Sequence, residues 1–464
     1  MKRLTSLRNF IWLILLMMAA TTIPTQAWSS TRIRELKVFP AFLTFDHARD
    51  ARKLIVSGCT PEGYWVDLTE DAAFQPAARL VKRDAEGYFL PLKPGKTTLL
   101  VRVRGRQLSV PVVVRSVASP PISFVREVMP VLSKAGCNVG TCHGSAKGKN
   151  GFKLSLRGYD PEFDYHALIQ DISGRRFNRA QPKESLMLLK PTQGVAHQGG
   201  LVFEENSRFY PILYRWIAEG VQSDTAKVRR AHRLTILPPN PVMSLPGMKQ
   251  ALIVLAHYPD GTTRDVTRDA IFTSTMPETV TVTPEGLVTA MRRGEAAILV
   301  RYEGNYVANR VTVIGDRKGY QWVGPPQYNY IDKLVDAKLK RIKSLPSGLC
   351  TDAEFIRRVS LDITGVPPTP EETRAFLADR TPSREKRAQL IDKLLDSPDY
   401  VENWTNKWAD LLQCNRKYLS EKGVWKFRRW IKEQVARNRP YDEFVREILT
   451  SAGSSFEHPA AAYW

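Results

Sequence analysis

Two stretches of this chain copy one another, and that repeat restricts the fold more than any other feature. The first runs from about Ile33 to Ala118 and the second from about His232 to Gly315. Leu54-Ile55-Val56 answers Leu252-Ile253-Val254, and a turn glycine follows in each, Gly63 and Gly261. An aspartate comes next (Asp67, Asp265), then a threonine two residues on (Thr69, Thr267). Two more glycines follow at offsets of 24 and 32 from Gly63 (Gly87, Gly95), and of 25 and 33 from Gly261 (Gly286, Gly294). Each final glycine leads into a β-rich run, Thr98-Leu99-Leu100-Val101 or Ala297-Ile298-Leu299-Val300. Short alternating apolar runs broken by turn residues are the pattern of an all-β sandwich. An aspartate beside such a turn is more often a cap than a metal ligand.

These two stretches resemble group 2 bacterial Ig-like domains, whose glycine turn, Asp-x-Thr step and closing glycines recur in this order. That resemblance implies spacer or adhesive modules without catalysis. With 464 residues the chain is too long for one core, and 43% hydrophobic residues suffice for several ordinary ones. Lys2, Arg3 and Arg8 precede an apolar run from Phe10 to Ala20, and Thr25-Gln26-Ala27 offers a small-residue cleavage site. The run is shorter than the roughly 18–20 residues that span a bilayer, so residues 1–27 read as a cleaved export signal rather than an anchor. The mature protein is then expected in the periplasm or at the cell surface, with no transmembrane segment.

The net charge is +21, falling to +18 without the three cations of the leader. The Lys and Arg residues are scattered and form no nucleic-acid motif, and export makes DNA or RNA an improbable partner. A basic surface suits anionic cell-envelope polymers or an acidic redox partner. Five cysteines are too few for a disulfide scaffold, and Cys59, Cys350 and Cys414 stand alone.

Between the repeats the sequence reads Cys137-Asn138-Val139-Gly140-Thr141-Cys142-His143-Gly144. Covalent haem attachment needs two thiols for the two vinyl groups and an adjacent imidazole for the iron, usually as C-x-x-C-H. Here four residues separate the cysteines, and Gly140 would let the longer loop bulge. A disulfide closing a small loop, or a zinc site using a second histidine, satisfies the same residues. Phe124, Val128 and Leu132 place one apolar face on a helix entering the motif. Phe209 to Val221 forms a second amphipathic stretch with Tyr210, Leu213, Tyr214, Trp216 and Ile217. Small cytochromes c pack two such helices together.

From Tyr328 onward the periodicity is helical. Ile331, Leu334, Val335 and Leu339 share one face, as do Leu390, Ile391, Leu394 and Leu395. Thr369-Pro370-Glu371-Glu372 reads as a capping box with proline at the first helical position. Trp404, Trp408, Trp425 and Trp430 are spaced as helix-core aromatics.

The whole order is similar to that of the planctomycete-type cytochrome c proteins, which carry group 2 Ig-like domains and a helical domain of unknown function. The resemblance rests on Cys137 through Ser145, Gly148-Lys149-Asn150-Gly151-Phe152-Lys153-Leu154-Ser155-Leu156-Arg157-Gly158, Ser185 through Pro191, and Phe355 through Gly365. In that family the four-residue spacing is normal. Two departures stand out: Gln198 interrupts the family's His-Gly-Gly-Gly run at His197, and family chains usually continue into a further large domain.

The resemblance implies a multi-domain fold. Two all-β Ig-like sandwiches (28–118 and 231–316) flank an all-α cytochrome c-like domain (119–230). A linker (317–327) and an all-α C-terminal domain (328–464) follow, the latter open to being truncated. Cys137 and Cys142 would attach haem c and His143 would be the proximal iron ligand. The sixth position could fall to His197, to Met187, or stay open; the apolar neighbours of Met187 favour a packing role. The expected function is electron transfer in the cell envelope, with no catalytic residue of its own. The alternative is a structural or adhesive surface protein in which Cys137 and Cys142 form a disulfide.

Overall fold

The computed structural model describes residues 32–464 apart from Glu62, Ser173, Asp316 and Lys318. The expected export signal lies outside the described residues. The chain divides into two compact units, one ending at Leu345 and the other spanning Pro346–Trp464. No helix among the described residues is long and apolar enough to cross a membrane.

In the first unit, both copies of the repeat fold into the same set of three small sheets. In the first copy Glu35–Phe39, Ile55–Cys59 and Trp65–Asp67 form one antiparallel sheet. Gly95–Val103 and Arg106–Val114 form a hairpin, flanked by Ala73–Pro76 and by Leu43–Phe45, which pairs in parallel. Arg52–Lys53, Tyr88–Pro91 and Val81–Arg83 make the third sheet. The second copy reproduces this strand for strand, from Arg233–Leu237 to Asn305–Val313. Residue numbers differ by 198 at the first strand (Glu35 against Arg233) and by 199 at the last hairpin (Gly95 against Gly294). The inward-facing residues singled out in the sequence, Leu54 and Val56 with their partners Leu252 and Val254, are at most 1% exposed.

The repeated Asp-x-Thr step does two jobs. Asp67 Oδ1 accepts from the Thr69 backbone N–H at 2.9 Å and from its hydroxyl at 2.5 Å, while Thr69 Oγ1 accepts from Val56 N at 3.0 Å. The same bonds recur around Asp265, Thr267 and Val254. The second carboxylate oxygen reaches across to the other copy. Asp67 Oδ2 accepts from Ala251 N at 2.7 Å, and Asp265 Oδ2 accepts from Lys53 N at 2.8 Å. Lys53 and Ala251 are equivalent positions, so the two copies meet through one self-complementary face about a local pseudo-twofold axis. Equivalent apolar residues, Phe39 with Leu237 and Ile55 with Ile253, fill the seam.

Between the copies the chain is helical. A π-helical turn, Phe124–Val128, runs into α1 (Met129–Lys134), followed by α2 (Pro161–Ile169), the single turn α3 (Leu186–Leu189) and α4 (Phe209–Ala218). Phe124 stacks on Trp216 with centroids 5.3 Å apart, so the first and last helices of the segment pack together. Ser123 caps the first turn by accepting from Arg126 N, and Asp224 binds both Ser123 Oγ and Val125 N. Arg49 of the first copy pairs with Glu127 at 2.8 Å, and Arg264 of the second donates to the Arg126 carbonyl at 3.0 Å. The segment is thereby keyed to both sandwiches.

Helix α5 (Tyr330–Arg341) belongs to this first unit, although its spacing groups it with the helices that follow. Its Lys338 and Arg341 pair with Glu295 on the second copy. Ile331, Leu334 and Val335, expected to be a core face, are about half or more exposed, and the buried side chain is Asp336, which accepts from Gln327. The second unit holds α6 (Asp352–Thr364), α7 (Pro370–Ala378), α8 (Ser383–Leu395), α9 (Pro398–Leu411), α10 (Glu421–Ala436) and α11 (Tyr441–Thr450). Helix α7 begins with the expected capping box of Thr369 and Glu372 and with proline in its first turn. Phe427, Trp430, Ile431, Phe444 and Ile448 form the core there. Of the expected tryptophan stripe, Trp430 is buried, Trp404 and Trp408 are half-buried, and Trp425 is 64% exposed. Spacing assigns a residue to a face, and which face is covered depends on neighbours that spacing does not reveal.

Candidate functional site

The cysteine–histidine motif begins where α1 ends. Cys137 N donates to the Leu132 carbonyl at 2.9 Å, which carries the helix one turn further before the chain folds over. His143 N then donates to the Cys137 carbonyl at 3.1 Å and Gly144 N to the Val139 carbonyl at 3.1 Å. This closes the four-residue spacer into a compact loop that sets Cys137 and His143 side by side. The glycine this turn requires is Gly144. A Cβ there would stand 2.0 Å from the Asn138 carbonyl oxygen, whereas at Gly140 it would make only an ordinary 3.6 Å contact with Leu156. The expected bulge at Gly140 is thus replaced by a close approach at Gly144.

His143 is fixed by the next loop. Lys149 and Phe152 exchange backbone bonds, with Gly148 at φ +65°. The Phe152 carbonyl also lies 3.1 Å from His143 Nδ1, and the two rings pack with centroids 4.6 Å apart. A carbonyl can only accept, so Nδ1 carries the proton and Nε2 is left as the lone-pair nitrogen, the tautomer a metal-ligating imidazole needs. Burial holds the His143 pKa below its ordinary value. The Phe152 bond opposes this, and the nearby charges of His197, Lys190 and Arg176 add to it.

Both cysteines of the motif are half-buried and unpaired, as are Cys59, Cys350 and Cys414. Burial, with the neighbouring Cys142 second, pushes the Cys137 thiol up to about 12. Cys137, Phe152 and Met187 border the same apolar cluster that contains Phe124 and Trp216. Met187 lies on α3, its N–H donating to the Arg176 carbonyl at 3.2 Å, and its side chain packs against that cluster. His197 sits in its glycine loop with Nδ1 3.0 Å from the Gly200 carbonyl, so in its neutral form Nε2 is the lone-pair nitrogen. Gly199 lies beneath the imidazole, where a Cβ would be 2.8 Å from Cε1. Among the described residues no group of three or more His, Cys, Asp or Glu side chains converges to hold a metal ion.

Three contributors carried no role in the sequence reading. Phe152 supplies the carbonyl that orients His143, and its ring has the Arg176 guanidinium 4.2 Å from its centroid. Lys190 adds charge near His143. Phe152 lies in the Gly148-Lys149-Asn150-Gly151-Phe152 run that carries the family resemblance, and the glycines flanking it were the available signal. Arg176 has no motif around it.

The profile of a family of proteins of unknown function, PSCyt2 (DUF1549), matches residues 330–463, which takes in α5 and the helices of the second unit. No curated protein matches the chain. Among solved structures, domains 5–6 of the S-layer protein SbsC are similar at 11% identity and a TM-score of 0.25, covering 61% of this chain and 99% of that one. Domains 4–9 of the surface layer protein SbsC match at 10% identity and a TM-score of 0.25, over 61% of this chain and 32% of that one. Extracellular domains 3–5 of Drosophila OTK match at 9% identity and a TM-score of 0.13, over 61% of this chain and 63% of that one. The chain is a multi-domain protein with β-sandwich-like sheets in its N-terminal and central regions and helices toward its C-terminus, the last of these resembling PSCyt2.

Proposed function

We propose that the helical segment between the sandwiches attaches haem c through Cys137 and Cys142, and that the protein is an exported monohaem electron carrier of the cell envelope. The observation that carries this reading is the state of His143. Its Nδ1–H is spent on the Phe152 carbonyl, which leaves Nε2 as the ligand nitrogen in a motif whose two cysteines form no disulfide. His143 would be the proximal ligand and His197, in the same tautomer and close enough to bias His143 electrostatically, the distal one. Met187 remains a packing residue. When bound, the haem supplies a one-electron iron couple, and two imidazole ligands hold its potential lower than a His/Met pair would. The protein's own part is to keep both imidazoles in one tautomer, to pack Phe152 against His143, and to place Arg176 and Lys190 near the site. Those two cations disfavour further positive charge there. A basic surface would suit an acidic redox partner.

A pyridine haemochrome spectrum tests this, on protein made in a host with c-type maturation machinery, beside a Cys137→Ala/Cys142→Ala control. A c-type spectrum that survives acid–acetone extraction and disappears in the control is expected.

A second reading is favoured by the reciprocal Asp67 and Asp265 bonds, which fix two sandwiches into one rigid body of the kind a surface scaffold needs. In that reading Cys137 and Cys142 oxidise to each other and the protein is colourless. The same spectrum, with thiol counting, separates the two.

A further inference from the structure

The pseudo-twofold pairing of the sandwiches creates two equivalent clefts, one on each side of the axis, and the two have diverged. On one side Arg52 fills the space, its guanidinium donating to the Thr263 carbonyl at 2.5 Å. On the other side the position equivalent to Arg52 is Gln250, and an open cleft of about 350 Å³ remains. Its lining includes Lys37, Tyr64 and Trp65 from the first copy and Arg341 and Lys343 from the end of α5 and just beyond. At the positions equivalent to Lys37, Tyr64 and Trp65 the second copy has Thr235, Thr262 and Thr263. One side therefore carries aromatic and cationic side chains where the other carries threonines, at positions that play no part in the repeated core.

The geometry of these residues is specific. Lys37 Nζ stands 4.2 Å from the Trp65 ring centroid and Lys343 Nζ 3.7 Å from that of Tyr64. Each ring fixes an ammonium group at its face, which reduces the entropy a flexible lysine would otherwise lose on binding. Arg341 is oriented by Glu295 and by Thr312 Oγ1. The described lining residues comprise three cations and no carboxylate, with Ser57, Asn240 and Gln250 as neutral hydrogen-bonding groups. Two of these cations also pair with carboxylates outside the lining, Lys37 with Glu35 and Arg341 with Glu295, and a lining of cations between apolar walls still attracts anions. The volume falls within the range of small-ligand sites and matches a short saccharide rather than a polymer coil.

We propose that this cleft binds an anionic saccharide, its carboxylates held by Lys37, Lys343 and Arg341, its ring faces against Trp65 and Tyr64, and its hydroxyls met by Asn240 and Gln250. The site is independent of the cysteine motif and of any haem. It gives the basic protein a defined place to engage an acidic glycan.

Titration calorimetry on the full chain, with digalacturonate as the probe, tests the assignment. The neutral galactose disaccharide and sodium phosphate serve as controls. Digalacturonate is expected to bind, more weakly as salt rises, and neither control to bind comparably. Trp65→Thr and Lys37→Thr install the residues of the opposite cleft, which that copy already accommodates. Each should weaken binding about tenfold, on the order of one lost cation–π or charged contact. Lys37 is half exposed and pairs with Glu35, so Lys37→Thr keeps the test alive if Trp65→Thr fails to fold. The proposal is overturned if digalacturonate gives no binding heat to about 10 mM, if the neutral disaccharide or phosphate binds as tightly, or if Lys37→Thr binds like the wild type.

Discussion

Replacing Asp67 by alanine should be read most clearly in the copy of the repeat that does not contain it. In the folded chain the Asp67 carboxylate has four donors: the backbone and hydroxyl of Thr69 within its own copy, and Ala251 N and Gln250 Nε2 across the seam. Burial pushes its pKa up and the donors from Thr69 and Ala251 pull it partly back, so the bonds and the desolvation oppose each other. Gln250 retains a second acceptor in the Ala251 carbonyl, whereas Ala251 N loses its acceptor in a buried strand. An orphaned buried N–H bonded to a carboxylate costs about 2 kcal/mol. That corresponds to roughly a 30-fold loss of protection for the Ala251 amide. Hydrogen–deuterium exchange read by mass spectrometry on peptides spanning residues 249–252 measures it directly, and avoids a global unfolding midpoint that two compact units would blur. Asp265→Ala should produce the mirror result at Lys53. If Asp67→Ala speeds exchange only around residues 67–69 and leaves 249–252 protected, the aspartate is a turn cap alone and the pseudo-twofold reasoning fails.

Three further outcomes are expected. Gly144→Ala should lower the melting temperature and haem incorporation sharply, because its Cβ meets a backbone oxygen, while Gly140→Ala should leave both near wild type; equal effects would contradict the loop geometry. In protein made without haem maturation, iodoacetamide at pH 8 should label Cys142 well before Cys137, whose thiol is pushed up to about 12 by burial, and mass mapping of the adducts checks the order. Burial raises Asp164 to about 6 against the Ser155 bonds that oppose it. Its folded pKa exceeds its unfolded one, so the folded state binds the proton more tightly; the resulting stability is full below about pH 4 and is lost as pH rises through about 6. Thermal melts across that window should fall with pH more steeply for wild type than for Asp164→Asn, and parallel curves would refute the burial argument.

What the sequence made legible follows the physics of each signal. The turn glycines and the Asp-x-Thr steps encode local geometry, so Asp67 and Asp265 could be identified as caps from spacing alone. Their second role needed the other copy, because the carboxylate oxygen that crosses the seam leaves no pattern within either repeat. The helix entering the motif was readable from Phe124, Val128 and Leu132, all at most 5% exposed, since one-sided burial is what helical periodicity records. The same reasoning misplaced Ile331, Leu334 and Val335, where the face that packs is the charged one with Lys338 and Arg341. At the candidate site the motif residues were evident. The anchoring carbonyl of Phe152 was not, because backbone acceptors have no residue identity to read.

The reciprocal seam between the sandwiches has a consequence for how strong it needs to be. Two free domains meeting through a face of this size would have to overcome the loss of independent motion, and at cellular concentrations a modest face would stay mostly apart. Here both partners sit on one chain, and the helical segment is pinned at Arg49 and Arg264 to each of them. Association becomes intramolecular, at an effective concentration of order millimolar for a well-matched connection. A few reciprocal bonds are then enough to keep the pair closed. Residues outside the reciprocal bonds, such as Lys37 and Trp65 on one side and Arg52 on the other, can then differ between the copies without separating the halves.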